Sequence, residues 1–200
     1  MIPNIKNHKI IICGLQGSGK TYFSKKIVRE LGLKCLVFSP HRHDFIKEPD
    51  NFIFYSNSTK DNIEDFCRQA IQLGKKGLIN CVLIDEFDML FKNNFDVGKN
   101  ATDIFANHRH YGLAIIGITR RPQDIPTYFV ESAKYVVSFS IQGENARKKF
   151  NNLYRGMGDM VIEDLTYKNY DFVIKKIAEP PKIVSQNKDK GENTEKNINH

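Results

Sequence analysis

The sequence predicts an α/β fold in which a mostly parallel β-sheet is covered by helices on both faces. Three observations carry that expectation. Strand-like and helix-like segments alternate from Lys9 to Leu153. The strand-like segments are apolar throughout rather than alternating, as strands buried on both faces are. The first strand-to-helix junction is Gly14-Leu15-Gln16-Gly17-Ser18-Gly19-Lys20-Thr21. Its spacing is that of a phosphate-binding loop, which needs a strand before it and a helix behind it.

Taken in order, Lys9-Ile10-Ile11-Ile12-Cys13 is the strand entering that loop. Tyr22, Phe23, Ile27, Val28 and Leu31 mark the helix leaving it, ended by Gly32. Cys35 to Ser39 reads as a buried strand, with Pro40-His41-Arg42-His43-Asp44 as the loop beyond. Asn51 to Tyr55 predicts a short strand. Thr59 is the expected N-cap of a helix that places Ile63, Phe66, Cys67, Ala70 and Ile71 on one face and stops at Gly74. Leu78 to Ile84 is the next apolar strand and runs into Asp85-Glu86-Phe87-Asp88. Lys92 to Lys99 reads as a polar loop holding Phe95, and Asn100 to Tyr111 as a helix ended by Gly112. Leu113 to Ile118 is a further buried strand, ending in Thr119-Arg120-Arg121-Pro122. A strand over Lys134 to Ser140 and a helix over Gly143 to Leu153 follow. Asp159–Ile162 and Tyr170–Lys175 are expected to pair as a terminal hairpin. From Ala178 the chain is polar and rich in lysine and asparagine behind Pro180-Pro181. That composition predicts a folded domain over residues 1–177 and a disordered tail over 178–200.

The 200 residues suffice for one domain with a substantial core, and the net charge is +7. The segment from Ala178 holds four lysines and four acids, so the expected folded part carries the whole excess. A basic body suits a polyanionic partner, though charge alone does not name one. No apolar run reaches the length of a membrane span and Met1-Ile2-Pro3-Asn4 opens no signal peptide, so the chain is expected to be soluble and intracellular, or carried inside a particle made there. Cys13, Cys35, Cys67 and Cys81 lie far apart in largely apolar runs, as buried thiols of a reducing compartment do.

The glycines of Gly14–Thr21 let backbone N–H groups turn toward a polyphosphate, and the helix N-terminus adds partial positive charge. Lys20 is expected on the β and γ phosphates and the Thr21 hydroxyl on Mg²⁺. Val82-Leu83-Ile84-Asp85-Glu86 delivers two acids to a strand end. Asp85 suits Mg²⁺, and Glu86 suits a general base acting on water. Asp88 reads as a charge favouring a helix N-terminus. Thr119 and Arg120 end a neighbouring strand, where a group can sense the γ-phosphate. Arg109 reads locally as a helix C-terminal charge and, in the sharper alternative, as an arginine finger entering a neighbouring subunit's site. His41-Arg42-His43 and His108-Arg109-His110 lack the companions of a zinc site and read as loop or DNA-facing residues. Lys92, Lys99, Lys148 and Lys149 are candidate phosphate contacts, each better explained as an ordinary solvated charge.

Asp85-Glu86, then Arg109-His110-Tyr111-Gly112-Leu113-Ala114-Ile115-Ile116, then Thr119-Arg120-Arg121-Pro122 resemble the motif series of the FtsK–HerA superfamily of DNA-pumping ATPases. Arg147 and Gly156-Met157-Gly158-Asp159-Met160 resemble the end of such domains, and the likeness covers roughly residues 9 to 175. Among them the chain is most similar to the genome-packaging ATPases of tail-less double-stranded DNA viruses with an internal membrane. The resemblance implies a RecA-like, additional-strand P-loop NTPase fold with ATP and Mg²⁺ as cofactors. It implies a homo-oligomeric ring on double-stranded DNA, usually hexameric with a pentamer as the alternative, and a capsid or portal-vertex protein as a further partner. It also implies Arg109 acting in trans. Arg120 stands where the family usually has glutamine, leaving phosphate sensing, a second finger and an ion pair open for it. The rival readings are a HerA-like helicase, a conjugative DNA-transfer ATPase, and a Zot-like assembly or export factor. A small-metabolite kinase fits less well because Asp85-Glu86 favours water as acceptor. A GTPase fits less well because no Asn-Lys-x-Asp element is present.

Overall fold

In the computed structural model of the protein, the described residues are 2–45, 48–56, 58–91, 98–165 and 170–185. They form an eight-stranded sheet in the order β3-β2-β4-β5-β1-β6-β7-β8. The strands are β1 (Lys9–Cys13), β2 (Cys35–Phe38), β3 (Phe52–Phe54), β4 (Cys81–Ile84), β5 (Ala114–Thr119), β6 (Tyr135–Phe139), β7 (Phe172–Lys176) and β8 (Lys182–Val184). The first six run parallel, and β7 and β8 close the far edge antiparallel. β5 lies between β1 and β4, with Cys13 beside Thr119 and Ile84 beside Gly117. The additional strand of the expected fold is therefore present. It brings the ends of β1, β4 and β5 to one rim of the sheet.

Every residue of β1, β2, β4, β5 and β6 is buried, the burial expected of strands covered on both faces. One face packs Ile10, Ile12, Val37, Leu83, Ile116 and Val137 against Phe23, Ile27 and Val28 of α1 (Lys20–Glu30). The other face packs Ile11, Leu36, Val82, Ile115 and Val136. Against it lie α2 (Ile63–Lys75), α3 (Lys99–Asn107), α4 (Thr127–Glu131) and α5 (Glu144–Leu153). Phe66, Phe105, Phe129 and Phe150 are each almost fully buried there, worth roughly 1.5–3 kcal/mol apiece in transfer free energy. Cys13, Cys35, Cys67 and Cys81 are all buried free thiols.

α3 is tied to α2 by a carboxylate. Glu64 accepts hydrogen bonds from the backbone N–H groups of Asn100 (3.0 Å) and Ala101 (2.8 Å), filling the open N-terminus of α3. The chain leaves α3 through a 3₁₀ turn over His108–Tyr111 rather than the continuous helix expected to Tyr111. Gly112 (φ +67) then turns the chain into β5.

Three other expectations are corrected. Thr59 opens a 3₁₀ turn over Lys60–Asn62, and α2 begins only at Ile63. Asp159–Ile162 is not a strand: α6 (Met157–Asp159) continues as a π-helical turn over Met160–Asp164. The buried side chains there, Met157, Val161 and Leu165, are four residues apart, a helical period. Gly158 lets this segment lie on α5, since a Cβ would stand 2.3 Å from the Arg147 carbonyl oxygen. β7 pairs with β6 and β8 instead. The sheet also passes the expected boundary at residue 177, because Lys182–Val184 pairs with Phe172–Ile174. Lys92, Phe95 and residues 186–200 lie outside the described residues. No helix among the described residues is long and apolar enough to cross a membrane.

Candidate active site

The site is built on the rim where β1, β2, β4 and β5 end. β1 delivers the chain to Gly14, whose φ of +152 and crowding exclude a side chain. A Cβ would stand 2.6 Å from Ser18 Oγ and 2.8 Å from Phe139 Cβ. The loop is pinned to β6 by the Leu15 N–H donating to the Ser140 carbonyl oxygen (3.0 Å). Gly19 (φ +98) then starts α1, which has no side-chain N-cap bond and no acid in its first turn. An uncapped N-terminus turned into a cavity presents backbone N–H groups to an anion. Ser18 is 2% exposed, and its Oγ has no hydrogen-bond partner among the described residues.

Lys20 is buried and donates from Nζ to the Leu15 carbonyl oxygen at 2.6 Å, so the loop closes on its own lysine. Burial pushes its pKa down to about 8, against the opposing pull of Asp85. Asp85 is buried at the end of β4, accepting from Ser39 Oγ (3.0 Å) and from the Glu86 N–H (2.9 Å). Burial raises its pKa above the usual carboxylate range. A buried carboxylate that no cationic side chain among the described residues bonds, lining one cavity with the Thr21 hydroxyl, fits a hard divalent cation.

Glu86 has φ +50, a left-handed backbone that costs a non-glycine residue roughly 1 kcal/mol. The turn aims its carboxylate at the end of β5. Glu86 Oε1 receives Arg120 Nη2 at 2.8 Å and lies 3.1 Å from His41 Nε2. Of the three roles left open for Arg120, the ion pair is the one formed here. Asp88 lies in the first turn of a 3₁₀ helix over Phe87–Phe91, the helix N-terminal place expected of it, and is buried there. It is 5% exposed and accepts the hydroxyl of the 1% exposed Thr119 at 2.6 Å, tying β5 to the turn after β4.

Gln16, Gly17, Gly19, Lys20, Thr21, Asp85, Glu86, Thr119 and Arg120 line a single cavity of about 810 Å³, closed elsewhere by Tyr22, Lys25, His41, His43, Asp44, Ile118 and Tyr170. Arg109 is not brought to it. It is exposed on the turn before β5, at the opposite rim, and β5 separates it from Arg120 by about 20 Å. Around it stand Lys9, whose pKa burial pushes down to about 8, and His108, pushed down to about 4 by burial and then by Lys9 and Arg109. Lys149 is no free phosphate contact, since its Nζ donates to the Ile125 carbonyl oxygen and to Thr127 Oγ1. Ser39, Tyr22 and Tyr170 were not singled out by the sequence. Ser39 had one legible signal, its place directly after a buried strand.

Residues 10–141 match the model of the ATPase family associated with various cellular activities (AAA). Against curated proteins the sequence has no match. Among solved structures, the genome packaging NTPase B204 from Sulfolobus turreted icosahedral virus 2, in complex with ATP-gammaS, superposes with TM-score 0.73 at 18% identity, over 88% of this chain and 96% of that one. EssC (ATPases 2 and 3) from Geobacillus thermodenitrificans gives 0.64 at 12% identity, over 91% of this chain and 39% of that one. The pCW3 conjugation coupling protein TcpA gives 0.61 at 13% identity, over 88% and 59%. At these identities the likeness is one of fold.

Proposed function

We propose that this chain, which belongs to the ATPase family associated with various cellular activities (AAA), uses ATP hydrolysis to move double-stranded DNA into a viral capsid. The observation that carries the reading is the nearly end-to-end likeness to a genome packaging NTPase. The two other likenesses stop well short of their partners' length. The net charge of +7 suits a polymer of phosphates.

In this reading the N–H groups of Gly14–Thr21 and the Lys20 ammonium hold the β and γ phosphates. Thr21 and Asp85 hold Mg²⁺, which when bound neutralises charge on the phosphates. Glu86 accepts the proton of the attacking water once Arg120 has released it. Because Arg109 lies across the sheet from its own cavity, it serves the cavity of the next subunit in a homo-oligomeric ring. A hexamer is the expected ring, a pentamer the alternative. A capsid or portal-vertex protein is the docking partner.

The test is translocation itself. The assembled protein with ATP should displace a third strand from a triplex-bearing duplex, and duplex DNA should stimulate its ATPase. DNA affinity should fall steeply with salt and depend little on sequence. ATPase activity without any DNA binding by the oligomer would instead favour an assembly or export factor.

A further inference from the structure

Phosphate and metal groups account for one end of the cavity, and strand order says where the rest of a nucleotide goes. Asp85 and Glu86 end β4, and Thr119 and Arg120 end β5. The γ-phosphate end is therefore over β4 and β5. The phosphate-binding loop sits on β1, next in the sheet, so the phosphate chain runs from β4 toward β1. The nucleoside must then leave over the remaining neighbours, β6 and β7, or along the first turn of α1.

Two tyrosines stand there. Tyr22 directly follows Thr21 in the first turn of α1 and is 57% exposed. Tyr170 precedes β7 by two residues and is 50% exposed. Both line the cavity, and among the described residues only Ile53, Leu78 and Ile177 are other large apolar side chains left so open. Tyr170 is held by its surroundings. Its backbone has φ +54, and its ring lies against the loop, with Cδ1 3.2 Å from where a Gly19 Cβ would be. Behind it Phe172 packs on Phe139 (5.4 Å between centroids) and Phe23 (4.8 Å), so the start of β7 rests on a buried aromatic bed.

A solvated aromatic face fixed beside a phosphate site, on the side where the base emerges, matches a planar heterocycle. We propose that Tyr170 and Tyr22 bind the nucleobase of ATP, with Tyr170 as the stacking face and Tyr22 as the wall at the helix end. This rests on the cavity being the ATP site, and the two ideas fail differently.

The experiment is calorimetric titration of the full chain with MgATP and, separately, with magnesium tripolyphosphate, which has the phosphates and no base. Tyr170→Ala should weaken ATP about tenfold or more while leaving tripolyphosphate unchanged, since a stacked base loses its platform. Tyr170→Phe keeps the ring and should restore ATP affinity. Tyr22→Ala should weaken ATP in the same selective way. Equal losses for both ligands in Tyr170→Ala would overturn the inference, because the ring would then only be propping Gly19. So would unchanged ATP affinity in both alanine variants. A wild-type protein that bound neither ligand would instead remove the nucleotide site, and this inference with it.

Discussion

Arg120 Nη2 and Glu86 Oε1 lie 2.8 Å apart, and His41 Nε2 approaches the same oxygen to 3.1 Å. The carboxylate best placed to take a proton from water is thus occupied by two cationic or donor groups that line the same cavity. All three are partly exposed, so the pair itself adds little to stability. Its consequence is for timing. In the proposed mechanism a γ-phosphate competes for the guanidinium and so frees Glu86 to act.

Glu86→Gln should therefore bind ATP about as well as the wild type and hydrolyse it at least about a hundredfold more slowly. The amide keeps the shape and loses the basic lone pair. Single-turnover hydrolysis set against ATP affinity checks this. Lost binding with unchanged turnover per bound ATP would make Glu86 a structural residue.

The depressed pKa of Lys20, about 8 without nucleotide, sets a pH dependence. Below about 8 the folded and unfolded chains both carry the proton on this group. Between about 8 and 10.5 the folded chain has released it while the unfolded chain keeps it. The unfolded state then binds more protons, so this group's contribution to stability rises with pH across that window. ATP reverses the preference, since a triphosphate favours the charged lysine. ATP affinity should fall as pH rises above about 8, and by no more than about tenfold per unit from this one group. In Lys20→Ala that fall should vanish along with most of the binding, while the far-ultraviolet spectrum stays native. A flat wild-type profile from about pH 7 to 9.5 would refute the assignment.

The loop, the two acids after β4 and the parallel sheet were legible because each depends on local spacing: Gly14 to Thr21, an apolar strand before Asp85, strand alternating with helix. What failed to show depended on partners far along the chain. The helix-end place of Asp88 is legible locally, but its bond to Thr119, 31 residues away, is not. Tyr170 carries no local signal, because its place in the cavity wall comes from its approach to Gly19, far earlier in the chain. The four-residue spacing of Met157, Val161 and Leu165 becomes decisive only when α5 is there to pack against. A single glutamate, Glu64, caps α3 from another helix, and no local pattern announces that.

The Asp88–Thr119 contact predicts a stability effect separable from catalysis. Asp88→Ala leaves a buried hydroxyl without its acceptor and should cost about 1–3 kcal/mol. Thr119→Val in the same chain removes the orphan, so the double variant should lose less than the sum of the two singles. Denaturant unfolding of the four proteins measures the coupling, and strict additivity would mean the bond contributes nothing.

β8 divides two truncations that the composition of the C-terminal region treats alike. Ending the chain after Ser185 keeps Lys182–Val184 paired to β7, whereas ending it after Ile177 bares that edge. The longer truncation product should retain its melting temperature and ATPase activity. The shorter one should melt several degrees lower and aggregate more readily. Identical melting would show that β8 is dispensable to the sheet.

The proposed trans role of Arg109 rests on position and magnitude together. The residue is exposed on the turn before β5, about 20 Å from Arg120 at the other end of that strand, so no side-chain rotation can bring it to its own cavity. Beside it Lys9 has its pKa pushed down to about 8 by burial and then by Arg109, and His108, pushed down to about 4 by burial and then by Lys9 and Arg109, is a neutral imidazole near pH 7. An arginine that reaches a γ-phosphate is worth about 10³ or more in rate, whereas an exposed charge at a helix end is worth less than ~1 kcal/mol of stability. Arg109→Ala should accordingly abolish hydrolysis and leave melting temperature and ATP affinity almost unchanged. Mixing it with Lys20→Ala gives the decisive measurement. In mixed rings some interfaces join an intact Lys20 site to an intact Arg109 from the neighbour, so activity should return. If the mixture stays inactive although the two variants co-assemble, Arg109 serves no neighbouring site, and Arg121 or Arg147 has to be tested in its place.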